Sequence, residues 1–138
     1  MEPQPLFVYG TLLFGPVLDR VLGRRPAMLR AAAPGFAART VAGATYPGMV
    51  SSASSVVGGV LFLDLSDAEL GLLDAYEGEP YRRELISAVD ERGSVLDAFA
   101  YVVDELEVTS EAWESRAFFE TQLEAFVAEL DRSWLSEG

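Results

Sequence analysis

The sequence predicts an α+β protein, with about six short strands curled into a small barrel and two short helices and one long C-terminal helix packed outside. Three observations lead there. Apolar runs rich in β-formers recur at Leu6–Tyr9, Val56–Leu65, Tyr81–Val89 and Val95–Val103. Between the second and third of these, Ser66 and Glu69 are spaced as a capping box and open a pattern of helical period. Near the end of the chain, Phe119, Leu123, Phe126, Leu130 and Trp134 form one apolar stripe. At 138 residues, half of them hydrophobic, the chain is long enough for one core, and one domain over residues 1–138 is expected, with 135–138 a frayed tail.

Taken in order, Leu6–Tyr9 reads as a buried strand stopped by Gly10. Gly15-Pro16 starts a short helix with proline in its first turn, and Val17, Leu18, Val21 and Leu22 supply its apolar face. From Pro26 to Ala42 the pattern is β-like, and the turn dipeptide Pro34-Gly35 predicts two short strands. Residues Gly43 to Ser55 are small and polar around Tyr46-Pro47-Gly48, which reads as a flexible loop or a substrate lid. After the Val56–Leu65 strand comes the capped helix, with Leu70, Leu73 and Tyr76 on one face and Gly78 as its stop. Tyr81–Val89 and Val95–Val103 alternate about Arg92-Gly93 as a hairpin. A long helix from about Ser110 to Trp134 completes the set.

Composition removes many chemistries. The formal charge is −12, from 22 acidic and ten basic residues, all ten of them Arg. Such a surface repels phosphate backbones and anionic lipids, so neither nucleic acid nor membrane is expected as a partner. No stretch approaches the ~20 apolar residues of a membrane span, and the start of the chain lacks a signal-peptide pattern, so a cytoplasmic protein is expected. With no Cys, His or Lys there is no thiol nucleophile, Ser-His-Asp triad, Schiff base or usual zinc site. Acid–base work without a cofactor would fall to Asp, Glu or Tyr.

One carboxylate stands out for its position. Glu77 falls in the last turn of the capped helix, where the negative end of the helix dipole disfavours an anion. Asp74 and Glu79 lie beside it, and cations come only at Arg82 and Arg83. A solvated acidic helix end and an acid–base residue are both compatible with that placement.

Three segments in this order carry a resemblance: Val8-Tyr9-Gly10-Thr11-Leu12, the strand Val57-Gly58-Gly59-Val60-Leu61-Phe62 with its helix ending Leu73-Asp74-Ala75-Tyr76-Glu77-Gly78, and Tyr81-Arg82-Arg83. Together they resemble the γ-glutamylcyclotransferase-like family, including γ-glutamylamine cyclotransferases and plant AIG2-like proteins, across roughly Leu6 to Tyr101. The resemblance implies a small mixed β-barrel whose mouth is formed by the loop Tyr9, Gly10, Thr11 and Leu12. It implies Glu77 as the catalytic acid–base residue, a small γ-glutamyl substrate, no metal and no cofactor. A monomer or homodimer is expected.

The reaction implied is intramolecular: the α-amine of a γ-glutamyl group attacks its own γ-carbonyl, releasing 5-oxoproline and a free amine. Glu77 would take the proton from the α-amine and return it to the leaving nitrogen. Burial, the helix end and the neighbours Asp74 and Glu79 should all raise its pKa. The N–H groups of Gly10 to Leu12 would receive the α-carboxylate or the developing oxyanion. Tyr81 and Arg83 share a strand face, and one or both would line the pocket; Arg83 could equally pair with Glu79 or Glu84. Tyr9 would hydrogen-bond substrate or fill core, and Tyr46 and Tyr101 are candidates of the same kind. A non-catalytic small-molecule-binding module on the same fold is the alternative function, and a hydrolase using Glu77 to activate water is a third.

Overall fold

The computed structural model describes the backbone of residues 4–135 and side chains as far as Ser133. Five strands close a barrel: β1 (Leu6–Val8), β2 (Met28–Val41), β3 (Pro47–Phe62), β4 (Arg82–Asp90) and β5 (Val95–Val102). Around the ring β1 pairs β3, β3 pairs β2, β2 pairs β4, β4 pairs β5 and β5 returns to β1. The closing pair is parallel, with Leu6 opposite Phe99, while β1 and β3 run antiparallel with Leu6 opposite Phe62. This parallel closure makes the barrel mixed, and it leaves the end of β1 at the mouth. A sixth strand, β6 (Val108–Ala112), adds to the far end of β2.

Alternation along the strands sorts side chains into two layers. Phe7, Met49, Leu61, Ala33, Ala88, Ala98 and Ala100 meet inside the barrel. Four alanines among them make room for Phe7 and Met49, each buried completely. Leu6, Val8 and Phe62 point outward and pack under α1 (Gly15–Val21), α2 (Asp67–Glu77) and α4 (Leu123–Leu130) through Val17, Leu18, Leu73 and Leu130. Full burial of one such side chain contributes roughly 1.5–3 kcal/mol, so the inner layer holds the barrel together and the outer layer holds the helices on it.

Three expectations about elements are corrected. Pro34-Gly35 does not divide the first long segment: β2 is continuous, with a register shift between Pro34 and Phe36 and Gly35 at φ 85°. A bulge is where a strand tolerates proline, because no ladder N–H is required there. The polar stretch up to Ser55 belongs to β3, since the second half of β2 pairs with it from Phe36–Ser51 to Thr40–Pro47. Only a short turn remains, closed by Val41 N–H donating to the Tyr46 carbonyl at 3.0 Å.

The third correction concerns the C-terminal helix. Residues 108–112 are strand β6, and beyond it lie two helices, α3 (Ser115–Thr121) and α4, with a break at Gln122 (φ −123°) and a π-helical turn over Asp131–Leu135. The stripe therefore changes register at the break. Leu123 and Leu130 are buried as expected, but Phe118 takes the inward place and Phe119 is 60 % exposed. Phe118 lies 5.5–5.6 Å, ring centre to ring centre, from Phe14, Trp113 and Phe126, in a cluster that spans the break. The tail beyond Leu135 and the side chain of Trp134 lie outside the described residues.

Candidate active site

The helix that carries Glu77 is fixed at its start. Ser66 Oγ accepts from the Glu69 N–H at 3.1 Å while Glu69 Oε1 accepts from the Ser66 N–H at 3.0 Å, the reciprocal box that their spacing predicts. Arg24 then grips both Glu69 oxygens, at 2.6 and 2.8 Å, and donates to the Asp64 carbonyl at 2.9 Å. This ion pair and the Ser66 N–H hold the Glu69 carboxyl down to about 2. Leu70 and Leu73 are buried beneath, and Gly78 (φ 60°) ends the helix after Glu77 in a conformation that a side chain would oppose.

Glu77 lines a cavity of about 210 Å³ at the barrel mouth. The segment after β1, Tyr9 to Leu12, lines the same cavity and turns through a 3₁₀ helix at Thr11–Leu13. Inside that turn Leu13 N–H donates to the Gly10 carbonyl and Phe14 N–H to Thr11, so the turn uses none of the three preceding N–H groups. A Cβ on Gly10 would stand 2.9 Å from Pro47 Cγ, which explains glycine there: the start of β3 presses against the loop.

All five tyrosines of the chain, Tyr9, Tyr46, Tyr76, Tyr81 and Tyr101, line this one cavity. Their hydroxyls tie its walls together. Tyr9 donates to the Tyr101 carbonyl at 2.7 Å, Thr11 Oγ1 and the Tyr76 hydroxyl are 2.7 Å apart, and Tyr81 donates to the Pro47 carbonyl. Tyr101 donates to Asp74 Oδ1 at 2.7 Å, outward from the barrel. Burial is the main cause that raises Tyr9, Tyr76, Tyr81 and Tyr101 above the ordinary phenol range, and the charge of Glu77 adds to the rise in each. They act as neutral hydrogen-bonding groups at physiological pH.

Burial alone pushes the Glu77 carboxyl up to about 8. The expected help from Asp74 is missing for a visible reason: its carboxylate accepts from Tyr101 and pairs with Arg83 Nε at 3.1 Å, and so is neutralised. Among the described residues Glu77 itself has no hydrogen-bond or ion-pair partner, which leaves its oxygens to whatever occupies the cavity.

The structure brings Glu77, Tyr9, Gly10, Thr11, Leu12 and Tyr81 onto one cavity. Arg83 is elsewhere. It stacks over the Phe99 ring at 4.8 Å and pairs with Asp74, while Arg82 takes the partner Glu84. Sequence reasoning left out Tyr76, Pro47, Phe126, Glu129, Leu130 and Ser133, which also line the cavity. A usable signal existed for one of them: Tyr76 precedes Glu77, and tyrosine is rare enough in this chain to be followed residue by residue.

A closed five-stranded barrel thus carries at its mouth one cavity lined by both the Glu77 carboxyl and the Gly10–Leu12 turn. Residues 6–117 match the profile of the family described as gamma-glutamyl cyclotransferase, AIG2-like, and the chain belongs to that family. It is 35 % identical to AIG2-like protein A of Arabidopsis thaliana over 94 residues, 68 % of this chain and 57 % of that one. A Methanocaldococcus jannaschii protein named "Gamma-glutamylcyclotransferase and putative RNase" is 31 % identical over 99 residues, 70 % of this chain and 45 % of that one. The chain thus spans about half the length of the curated relatives it matches. The solution structure of an Arabidopsis thaliana protein superposes with TM-score 0.70 at 25 % identity, covering 99 % of this chain and 94 % of that one.

Proposed function

We propose that this protein is a γ-glutamyl cyclotransferase that releases 5-oxoproline and a free amine from a γ-glutamyl amine or peptide. The observation that carries the reading is that Glu77, with its pKa pushed up to about 8, shares a cavity with the Gly10–Leu12 turn. The cavity is smaller than the ~300–1,000 Å³ of drug-sized sites and suits a compact metabolite.

In this mechanism the substrate folds so that its α-nitrogen lies against its own γ-carbonyl carbon, a preorganisation that can be worth several kcal/mol. The ionised Glu77 removes a proton from the α-amine as the nitrogen–carbon bond of the five-membered ring forms. Negative charge gathers on the carbonyl oxygen. The N–H groups of Gly10 to Leu12 hold that oxygen or the substrate α-carboxylate. Glu77 then delivers its proton to the departing nitrogen as the old amide bond breaks, and its carboxylate is restored. A pKa near 8 serves both halves, whereas free glutamate near ~4.3 would be a poor acid at neutral pH. Tyr9 and Tyr81 form the walls that position the substrate; Arg83 acts outside the cavity by holding Asp74, and through it Tyr101.

Incubation with a panel of γ-glutamyl amines in ¹⁸O-water tests this. Unlabelled 5-oxoproline with the amine is the expected product. Labelled glutamate would instead mark a hydrolase, and neither product across the panel would leave a binding module on the same fold.

A further inference from the structure

The family match stops at residue 117, yet the cavity does not. Phe126, Glu129 and Leu130 of α4 and Ser133 of the turn after it line the same cavity as Glu77. These lining residues belong to a part of the chain outside the matched pattern. In the proposed reaction the glutamyl group is engaged by Glu77 and the Gly10 turn, so the departing amine extends toward α4.

The charge of the lining is one-sided. Among the described residues that line the cavity, Glu77 and Glu129 carry carboxylates and none is a cation, while five tyrosine rings supply π-faces. Ring faces and carboxylates both attract an ammonium group and repel a carboxylate. Arg132 does touch Glu129, at 2.6 Å, but their side chains are 69 % and 66 % exposed and Arg132 is outside the lining. So exposed an ion pair holds its carboxylate weakly, and a ligand cation can share it. The net charge of −12 favours the same sign of ligand.

We infer that α4 and the turn after it form a leaving-amine subsite, in which Glu129 selects γ-glutamyl conjugates whose amine carries a second, positively charged nitrogen. The inference rests on the cyclotransferase reading and names its substrate class. Phe126 and Leu130 cover the aliphatic stem of the amine, and Glu129 with Ser133 meets its charged end at the mouth.

Three isosteric substrates separate the possibilities: γ-glutamyl conjugates of 1,4-diaminobutane, n-butylamine and 4-aminobutyrate, ending in an ammonium, a methyl and a carboxylate. Expected for the full chain is a kcat/KM in that order, the ammonium exceeding the methyl compound about 5-fold or more. Glu129→Gln should collapse the ammonium-to-methyl ratio to about 1–2, and the ratio is the readout whatever the variant does to each rate. Equal rates on all three, a preference for the carboxylate, or an unchanged ratio in Glu129→Gln would overturn the inference. If none of the three is turned over, their binding followed by tyrosine fluorescence decides separately. An ammonium preference that disappears in Glu129→Gln then upholds the subsite while the cyclotransferase reading falls, and equal or absent binding overturns the subsite.

Discussion

Replacing Glu77 with Gln keeps the shape of the side chain and removes its proton chemistry, and the structure sets the size of the consequence for stability. Burial raises the carboxyl from 4.5 to about 8. The folded state therefore binds this proton more tightly than the unfolded chain, and unfolding releases it between those two values. Stability must fall as pH rises through that window, with the penalty absent below the lower value and complete above the higher. At ~1.4 kcal/mol per unit, the carboxyl costs under ~1 kcal/mol near pH 5, about 3 near pH 7 and up to about 5 above pH 8; solvent access through the open cavity scales the whole curve down, to about 2 near pH 7 and about 3 above pH 8.

Glu77→Gln mimics the neutral form and escapes the penalty. The measurement is urea unfolding of both proteins at about pH 5, 7 and 8.5, with the difference in unfolding free energy taken at each pH. The remaining acidic groups titrate in both proteins and cancel in the difference. The variant should be the more stable, by a margin growing from under ~1 to about 3 kcal/mol across that range, while 5-oxoproline release drops at least ~100-fold. A margin that stays flat within ~0.5 kcal/mol would mean that the carboxyl is as well solvated folded as unfolded, and the acid–base role would go with it.

The same geometry sets three more outcomes. In the wild type, kcat/KM should climb with pH along a limb centred near 8, because Glu77 must lose its proton before it can act as base; a limb near ~4.5 in a pH–rate profile would contradict that. Gly10→Ala places a methyl group 2.9 Å from Pro47 Cγ and should lower kcat/KM about 10-fold or more, with a fall of only ~1–2 kcal/mol in urea unfolding. Ser66→Ala removes half of the capping box and should cost about 1 kcal/mol in the same assay.

How much could be read in advance depended on how local the cause was. The capping box, the Gly78 stop and the hairpin at Arg92-Gly93 each depend on a few consecutive residues, and all lie where their letters place them. The motif residues around Tyr9 and Glu77 were visible for the same reason. Ser51 and its polar neighbours give no strand signal of their own; they are strand because β2 presents a ladder from some 15 positions upstream. Val108 and Thr109, both β-branched, were the available hint of β6, but its place beside Arg39 and Val41 is a long-range pairing.

By itself, then, the sequence determined the chemistry that is possible here: an acidic chain without Cys, His or Lys, with one glutamate at the end of a well-capped helix. Tertiary structure decided which groups take part. Barrel closure gathered Tyr9, Tyr46 and Tyr101, distant in the chain, around Glu77 with its neighbours Tyr76 and Tyr81, turned Asp74 and Arg83 toward each other outside the cavity, and brought Glu129 to its lining. Burial and cross-chain contact depend on the summed packing of distant segments, and no short stretch of residues contains that sum.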